Sequence, residues 1–205
     1  MANVKITDMT AASTPLAGTE LLEIVQGGES RKVAASAIGN SASALPYNSL
    51  AGRAYISAYD ITDQTGSTSA ATAVKINTTG FSSGISIAND GSGNPTRITF
   101  TAAGTYMIAP SLQLYNSAAS DYDATIWFRK NGTNIANSST IVTVPKVGDG
   151  GSAFFQIVFY DQVTAGQYIE LMWLPENIAV TLDYTAAGAI APAIPSVIVC
   201  AERIA

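Results

Sequence analysis

The chain has 205 residues, a net charge of −5 and only 12% charged side chains, against roughly 25% in an ordinary soluble domain. That length suits one well-packed β domain with a small appendage, and so few charges leave little to repel neighbouring copies. Arg31-Lys32 and Arg129-Lys130 are isolated pairs rather than a basic cluster, which excludes binding of a nucleic-acid backbone, and no run approaches the roughly 18 apolar residues of a membrane span.

In chain order, Met1-Ala2-Asn3-Val4-Lys5 leads into no apolar core, so the chain is expected to be made in the cytoplasm and not exported by the general route. Ser13–Glu20 is turn-rich. Leu21–Gln26 reads as a short strand, Gly27-Gly28 as a turn and Glu29–Val33 as the return strand of a hairpin. Val33–Ile38 allows a single helical turn, and Asn40–Ala44 reads as a linker. An isolated hairpin is marginal, so residues 1–45 form an arm expected to dock onto something. Residues 46–205 form the body.

From Tyr47 onward the chain is strands and turns. Arg53–Tyr59 alternates, with Tyr55, Ser57 and Tyr59 on one face. Strands are expected at Ala73–Asn77 and Gly84–Ile87, a turn at Asn89–Pro95, and a strand at Arg97–Phe100. Tyr106–Tyr115 places Tyr106, Ile108, Leu112 and Leu114 on one face. Thr125–Lys130 runs into Asn131-Gly132, the strongest short hairpin signal in the chain. Further strands follow at Ser139–Val144, Phe154–Phe159, Tyr168–Trp173 and Val180–Tyr184. Ala186–Pro195 is a Gly/Ala/Pro loop before the closing strand Ser196–Ala201. Many short strands with frequent turns indicate an all-β sandwich or barrel. The one cysteine, Cys200, is expected to be a buried thiol of that last strand.

Catalytic chemistry has little to stand on. With no histidine, the commonest general base and metal ligand are missing, as are Ser-His-Asp and Cys-His systems. Gly148-Asp149-Gly150-Gly151 continues into Ser152-Ala153 without a P-loop lysine. Asp121 and Asp123 could pair across Tyr122, but solvated loop carboxylates are the expected reading, as for Asp60, Asp63, Asp90 and Asp149. Tyr115, Tyr122, Trp173 and Tyr184 would make a carbohydrate platform if exposed; packing in the core or at subunit contacts is favoured. The expectation is a non-enzyme with no catalytic residues, no cofactor and no metal.

Two stretches resemble known families. Ile98-Thr99-Phe100, Ala103-Gly104-Thr105-Tyr106 with Ser111, and Ile126–Gly132 resemble, in order, the jelly-roll domain shared by complement C1q heads and tumour necrosis factor ligands. Val163–Leu171 resembles that family's late Leu-x-x-Gly-Asp-x-Ile-x-Leu signature, with Gln167 in place of Asp, and Ser196–Cys200 resembles its last strand. The likeness covers about Arg53–Ile204 and implies a C1q/TNF-like jelly-roll sandwich that trimerises with an aromatic-rich sheet along the three-fold axis. Tyr106, Phe154 and Tyr168 are its seam candidates, with ordinary core packing as the competing reading.

The arm is similar to a segment common at the start of tailed-phage virion proteins: tail fibres, head fibres and capsid decoration (cement) proteins. The likeness rests on Thr19-Glu20-Leu21, Val25-Gln26-Gly27-Gly28 and Arg31-Lys32-Val33, and it implies an attachment module whose contact residues are Leu21, Leu22, Ile24, Val25, Gly27, Gly28, Arg31, Lys32 and Val33. Together the two resemblances imply a homotrimeric decoration protein on the outer surface of a phage capsid. It would grip the major capsid protein at three-fold or pseudo-three-fold sites and stabilise the shell. The alternative is a short head or tail fibre that joins tail or portal-proximal proteins and recognises a host glycan or protein. A C1q-type binding module and a depolymerase rank below these.

Overall fold

The computed structural model describes residues 21–26, 29–34 and 53–205. The chain divides into two compact units, Met1–Ala51 and Gly52–Ala205. In the first, β1 (Leu21–Gln26) pairs antiparallel with β2 (Glu29–Ala34), from Leu21 opposite Ala34 to Gln26 opposite Glu29. Val33 thus lies within a strand, opposite Leu22, rather than opening a helical turn. Residues 35–38, the turn glycines Gly27 and Gly28, the Ser13–Glu20 stretch and the Asn40–Ala44 linker lie outside the described residues.

The second unit opens with β3 (Tyr55–Asp60), the two-residue strands β4 (Gln64–Thr65) and β5 (Thr72–Ala73), β6 (Thr78–Ser83) and β7 (Ile85–Asn89). It continues through β8 (Pro95–Phe100), β9 (Gly104–Asn116), β10 (Tyr122–Lys130), β11 (Thr133–Asn134) and β12 (Thr140–Val144). After a 3-10 turn at Val147–Asp149 come β13 (Ser152–Gln156), β14 (Phe159–Val163), β15 (Tyr168–Pro175), β16 (Val180–Leu182) and β17 (Val197–Arg203). One sheet runs β6-β3-β17-β9, with β13 and β14 also along β9 and with β16 and β4 at its far end. The other runs β7-β8-β15-β10-β12. All pairings are antiparallel, and the path crosses between sheets at β6–β7, β8–β9, β9–β10, β12–β13, β14–β15 and β15–β16, with the two-residue β5 a further excursion to the second sheet. The first and last long strands, β3 and β17, are neighbours. This connectivity is the C1q/TNF-like jelly roll that the sequence implies.

Period-two alternation builds the core. Along β9 every even residue from Tyr106 to Asn116 is buried, and Val197, Val199 and Ala201 of β17 do the same beside it. The opposing sheet contributes Ile98 and Phe100, Ala124, Ile126 and Phe128, and Ile169, Leu171 and Trp173. Two aromatic pairs bridge the sheets: Phe100 with Tyr106 (centroids 4.4 Å apart) and Phe128 stacked on Phe159 (4.3 Å). Each such buried side chain contributes about 1.5–3 kcal/mol.

The turn Asn131-Gly132 is a tight two-residue hairpin. Lys130 pairs with Thr133, and φ is +47° at Asn131 and +82° at Gly132, the both-positive geometry of a type I′ turn. At Gly84, where the chain changes sheets with φ +68°, a Cβ would lie 2.9 Å from the Ala54 Cβ, so glycine is required there.

Three local expectations need correction. Ala73–Asn77 is not a strand: Val74 and Ile76 are buried, but their amides reach Leu171 and Pro95, and Lys75 N–H donates to the Gln64 side chain. The strand at this point is β6, whose Thr-Thr-Gly-Phe-Ser-Ser sequence is exposed along most of its length and carries no alternation to read. Phe154–Phe159 is not one strand. Pro110 of β9 lies opposite Ile157; its carbonyl accepts from Ile157 N–H at 3.4 Å, but it has no N–H to return. The ladder therefore lapses between β13 and β14 without a register change. Cys200 is exposed, because the alternation that buries Val199 and Ala201 turns it outward.

Candidate subunit-contact face

The outer face of the β3-β17-β9 sheet is the feature that sets this molecule apart. Outward residues on β3 are Tyr55, Ser57 and Tyr59; on β17 they are Ile198, Cys200 and Glu202. Register places Ser57 beside Cys200 and Cys200 beside Ala109. Met107, Ala109, Ser111, Gln113 and Tyr115 continue the face along β9. Beyond them lie Phe154 and Gln156 of β13 and Tyr160 of β14. Phe154 and Tyr160 are more than half exposed, as is Phe81, which packs against Tyr55 at one margin. Along β3, β9, β13, β14 and β17 the outward positions hold a single charged residue, Glu202. Such a broad surface, aromatic and bare of charge but for Glu202, has the composition of the centre of a protein–protein interface.

The other sheet's outer face is closed by its own side chains. Glu170, almost fully buried, is bound by Arg129 (2.9 and 3.0 Å) and by the Thr96 hydroxyl (3.0 Å). Arg97 approaches the same carboxylate at 3.8 Å and lies over the Tyr168 ring, 4.4 Å from its centroid. Trp127 Nε1–H donates to Asn134 Oδ1 at 2.8 Å.

The three seam candidates are not brought together. Tyr106 is wholly buried between the sheets, packed on Phe100, with its hydroxyl donating to the Ala102 carbonyl at 3.0 Å. Burial pushes its phenol pKa up. Tyr106 is a core residue and offers no surface to a second subunit. Tyr168 lies on the opposite sheet under Arg97. Phe154 alone is on the uncharged face. Tyr55 and Tyr59, which the sequence places on one face of their strand, belong to this outer face, and Met107 and Tyr160, not singled out from sequence, were signalled by the outward half of the same alternation that identified the core. The arm residues Leu21, Leu22, Ile24 and Val25 fall on β1, and Arg31, Lys32 and Val33 on β2, with Lys32 exposed.

The remaining candidates have structural roles. Trp173 is buried in the core and Tyr122 is partly buried against the core cluster, so no carbohydrate platform forms with Tyr115 and Tyr184. Asp121 accepts from Lys146 N–H (2.8 Å) and Asp123 from the Thr143 hydroxyl (2.7 Å). Asp60 is not a solvated loop acid: it is fully buried and accepts from Asn77 N–H and from both the amide and hydroxyl of Thr62. Asp90 binds the amides of Asn94 and Ser92, and these bonds, opposed by slight desolvation, hold its carboxyl below the usual range. Gln167 Oε1 accepts from Thr164 N–H at 2.8 Å. Among the described residues no group of three or more His, Cys, Asp or Glu could hold a metal ion, and no helix is long and apolar enough to cross a membrane.

No family model and no curated protein matches the chain. Solved structures similar to it include crystal structures of murine APRIL at pH 8.5, 5.0 and 8.0. Each has a TM-score of 0.46 at 8% identity, over 74% of this chain and 99% of that one.

Proposed function

We propose that the protein is a non-catalytic structural component of a phage particle: a homotrimer that binds the outer surface of the head at three-fold or pseudo-three-fold sites and stabilises the shell. The observation that carries self-association is the uncharged aromatic face on β3, β17, β9, β13 and β14. Left in water it exposes Phe154, Tyr160 and Phe81; joined to copies of itself it buries them at little cost in charge desolvation. The arm supports the virion assignment through its Thr-Glu-Leu, Val-Gln-Gly-Gly and Arg-Lys-Val order and its paired strands, whose outer edges could add to an exposed strand of the major capsid protein. Many copies would multiply weak contacts into a strong clamp. The fibre reading shares the arm and trimer and differs in copy number.

Cys200 tests the trimer directly. It sits within the proposed contact face and is the chain's one thiol. In the native assembly it should resist Ellman's reagent and react fully after unfolding; rapid reaction in an intact trimer would mean that a different face joins the subunits. Copies per purified virion, counted by mass spectrometry against the major capsid protein, separate the two virion roles. Hundreds would support decoration, and a few to a few tens a fibre. Deletion of residues 2–45 should leave a folded trimer that no longer binds its particle.

A further inference from the structure

Between β16 and β17 the chain leaves the sheet as a small hairpin. Thr185 and Ile194 exchange both backbone bonds, at 3.0 and 2.8 Å, and Gly188 N–H donates to the Ala191 carbonyl at 3.0 Å. In that register the tip is Ala189-Ile190, and Ile190 is fully exposed. From Thr185 to Pro195 there is no charged residue. A large aliphatic side chain held at the tip of a bonded hairpin has lost much of its freedom before any partner arrives, so docking it costs little further ordering.

At the root the character changes. Asp63 accepts from Tyr184 N–H at 2.7 Å, and Asp183 precedes it in the chain. Neither carboxylate is in an ion pair among the described residues. Burial, and then the repulsion of the nearby Asp63 carboxylate, hold the Asp183 carboxyl above its usual range. An apolar tip over an acidic root is complementary to an apolar pocket with cations beside it. An anionic membrane surface would be repelled by the same carboxylates.

We infer that the Thr185–Ile194 hairpin is a docking finger for a protein partner that presents an apolar pocket flanked by Lys or Arg. The inference stands apart from the virion reading, since neither the arm nor the uncharged face enters it. The test uses the full chain and, as probe, a short amphipathic peptide of leucine and lysine, with binding followed by fluorescence anisotropy. Ile190→Asp is the decisive variant because it adds an acid: simple attraction between an acidic protein and a cationic peptide predicts tighter binding, whereas the finger predicts binding about tenfold weaker from loss of one buried aliphatic side chain. The double variant Asp63→Asn/Asp183→Asn should also weaken it, with the Tyr184 bond kept by the Asn oxygen. Three results would overturn the inference: Ile190→Asp binding equally or more tightly, parent chain binding neutral phosphatidylcholine vesicles in an Ile190-dependent way, or Ile190→Asp altering the sedimentation coefficient, which would make the hairpin a subunit contact.

Discussion

The two sheets turn similar aliphatic and aromatic side chains inward, yet their outer faces are opposites. Over β8, β15 and β10 a buried carboxylate gathers Arg97, Arg129 and Thr96, so that surface is satisfied within one chain. Over β3, β17 and β9 no such clamp exists, and tyrosine, methionine, serine and glutamine stand where charges would ordinarily be. A surface finished by its own ion pairs has little to gain from a neighbour, whereas a surface of uncharged rings gains from every contact that excludes water.

The sharpest way to break the contrast is to put a charge on the bare face. Ala109→Arg, at the centre of β9 beside Cys200, should convert the assembly wholly to folded monomer in sedimentation velocity, with the β-type circular dichroism kept; a variant that stays trimeric would move the contact elsewhere. The next largest effect belongs to the clamped face. Glu170→Ala leaves two guanidinium groups without their carboxylate and should lower unfolding free energy by about 3 kcal/mol, read from urea melts, while the oligomeric state holds. Gly132→Ala, which forces a Cβ into the left-handed region at φ +82°, should cost about 1 kcal/mol in the same melts.

The smallest effect is in pH. The Asp183 carboxyl is raised in the folded chain by burial and by Asp63, so the folded state holds that proton more tightly than the unfolded one. Its contribution is full below the ordinary carboxylate range and is lost as pH rises through the raised value. Asp183→Asn cannot ionise, so its thermal stability relative to the parent chain should improve from acid toward neutral pH. A constant offset would show that Asp183 has no such burden.

The jelly roll was legible because β9, β10 and β17 each carry an inward alternation, and because Asn131-Gly132 admits one turn type. What escaped had a different physical origin. β6 is an exposed edge strand, and β13–β14 breaks because of a proline on its neighbour, which no local pattern announces. Cys200 was misplaced by averaging the habit of its residue type over the parity of its strand. Of the three seam candidates only Phe154 lies on the outer face proposed for subunit contact; Tyr106 and Tyr168 were chosen for aromatic character without asking which side of their strands, or which sheet, they occupy.

The lapse opposite Pro110 has a consequence for growth. Among the described residues β13 and β14 pair with β9 alone, so this margin of the sandwich is open to recruitment by a stray chain. Because Ile157 and Val158 drop out of the ladder, an incoming strand finds two five-residue runs separated by a gap rather than one unbroken template. A broken margin of that kind discourages runaway polymerisation into fibrils, and it leaves contact through side chains as the favoured way for copies of the chain to meet.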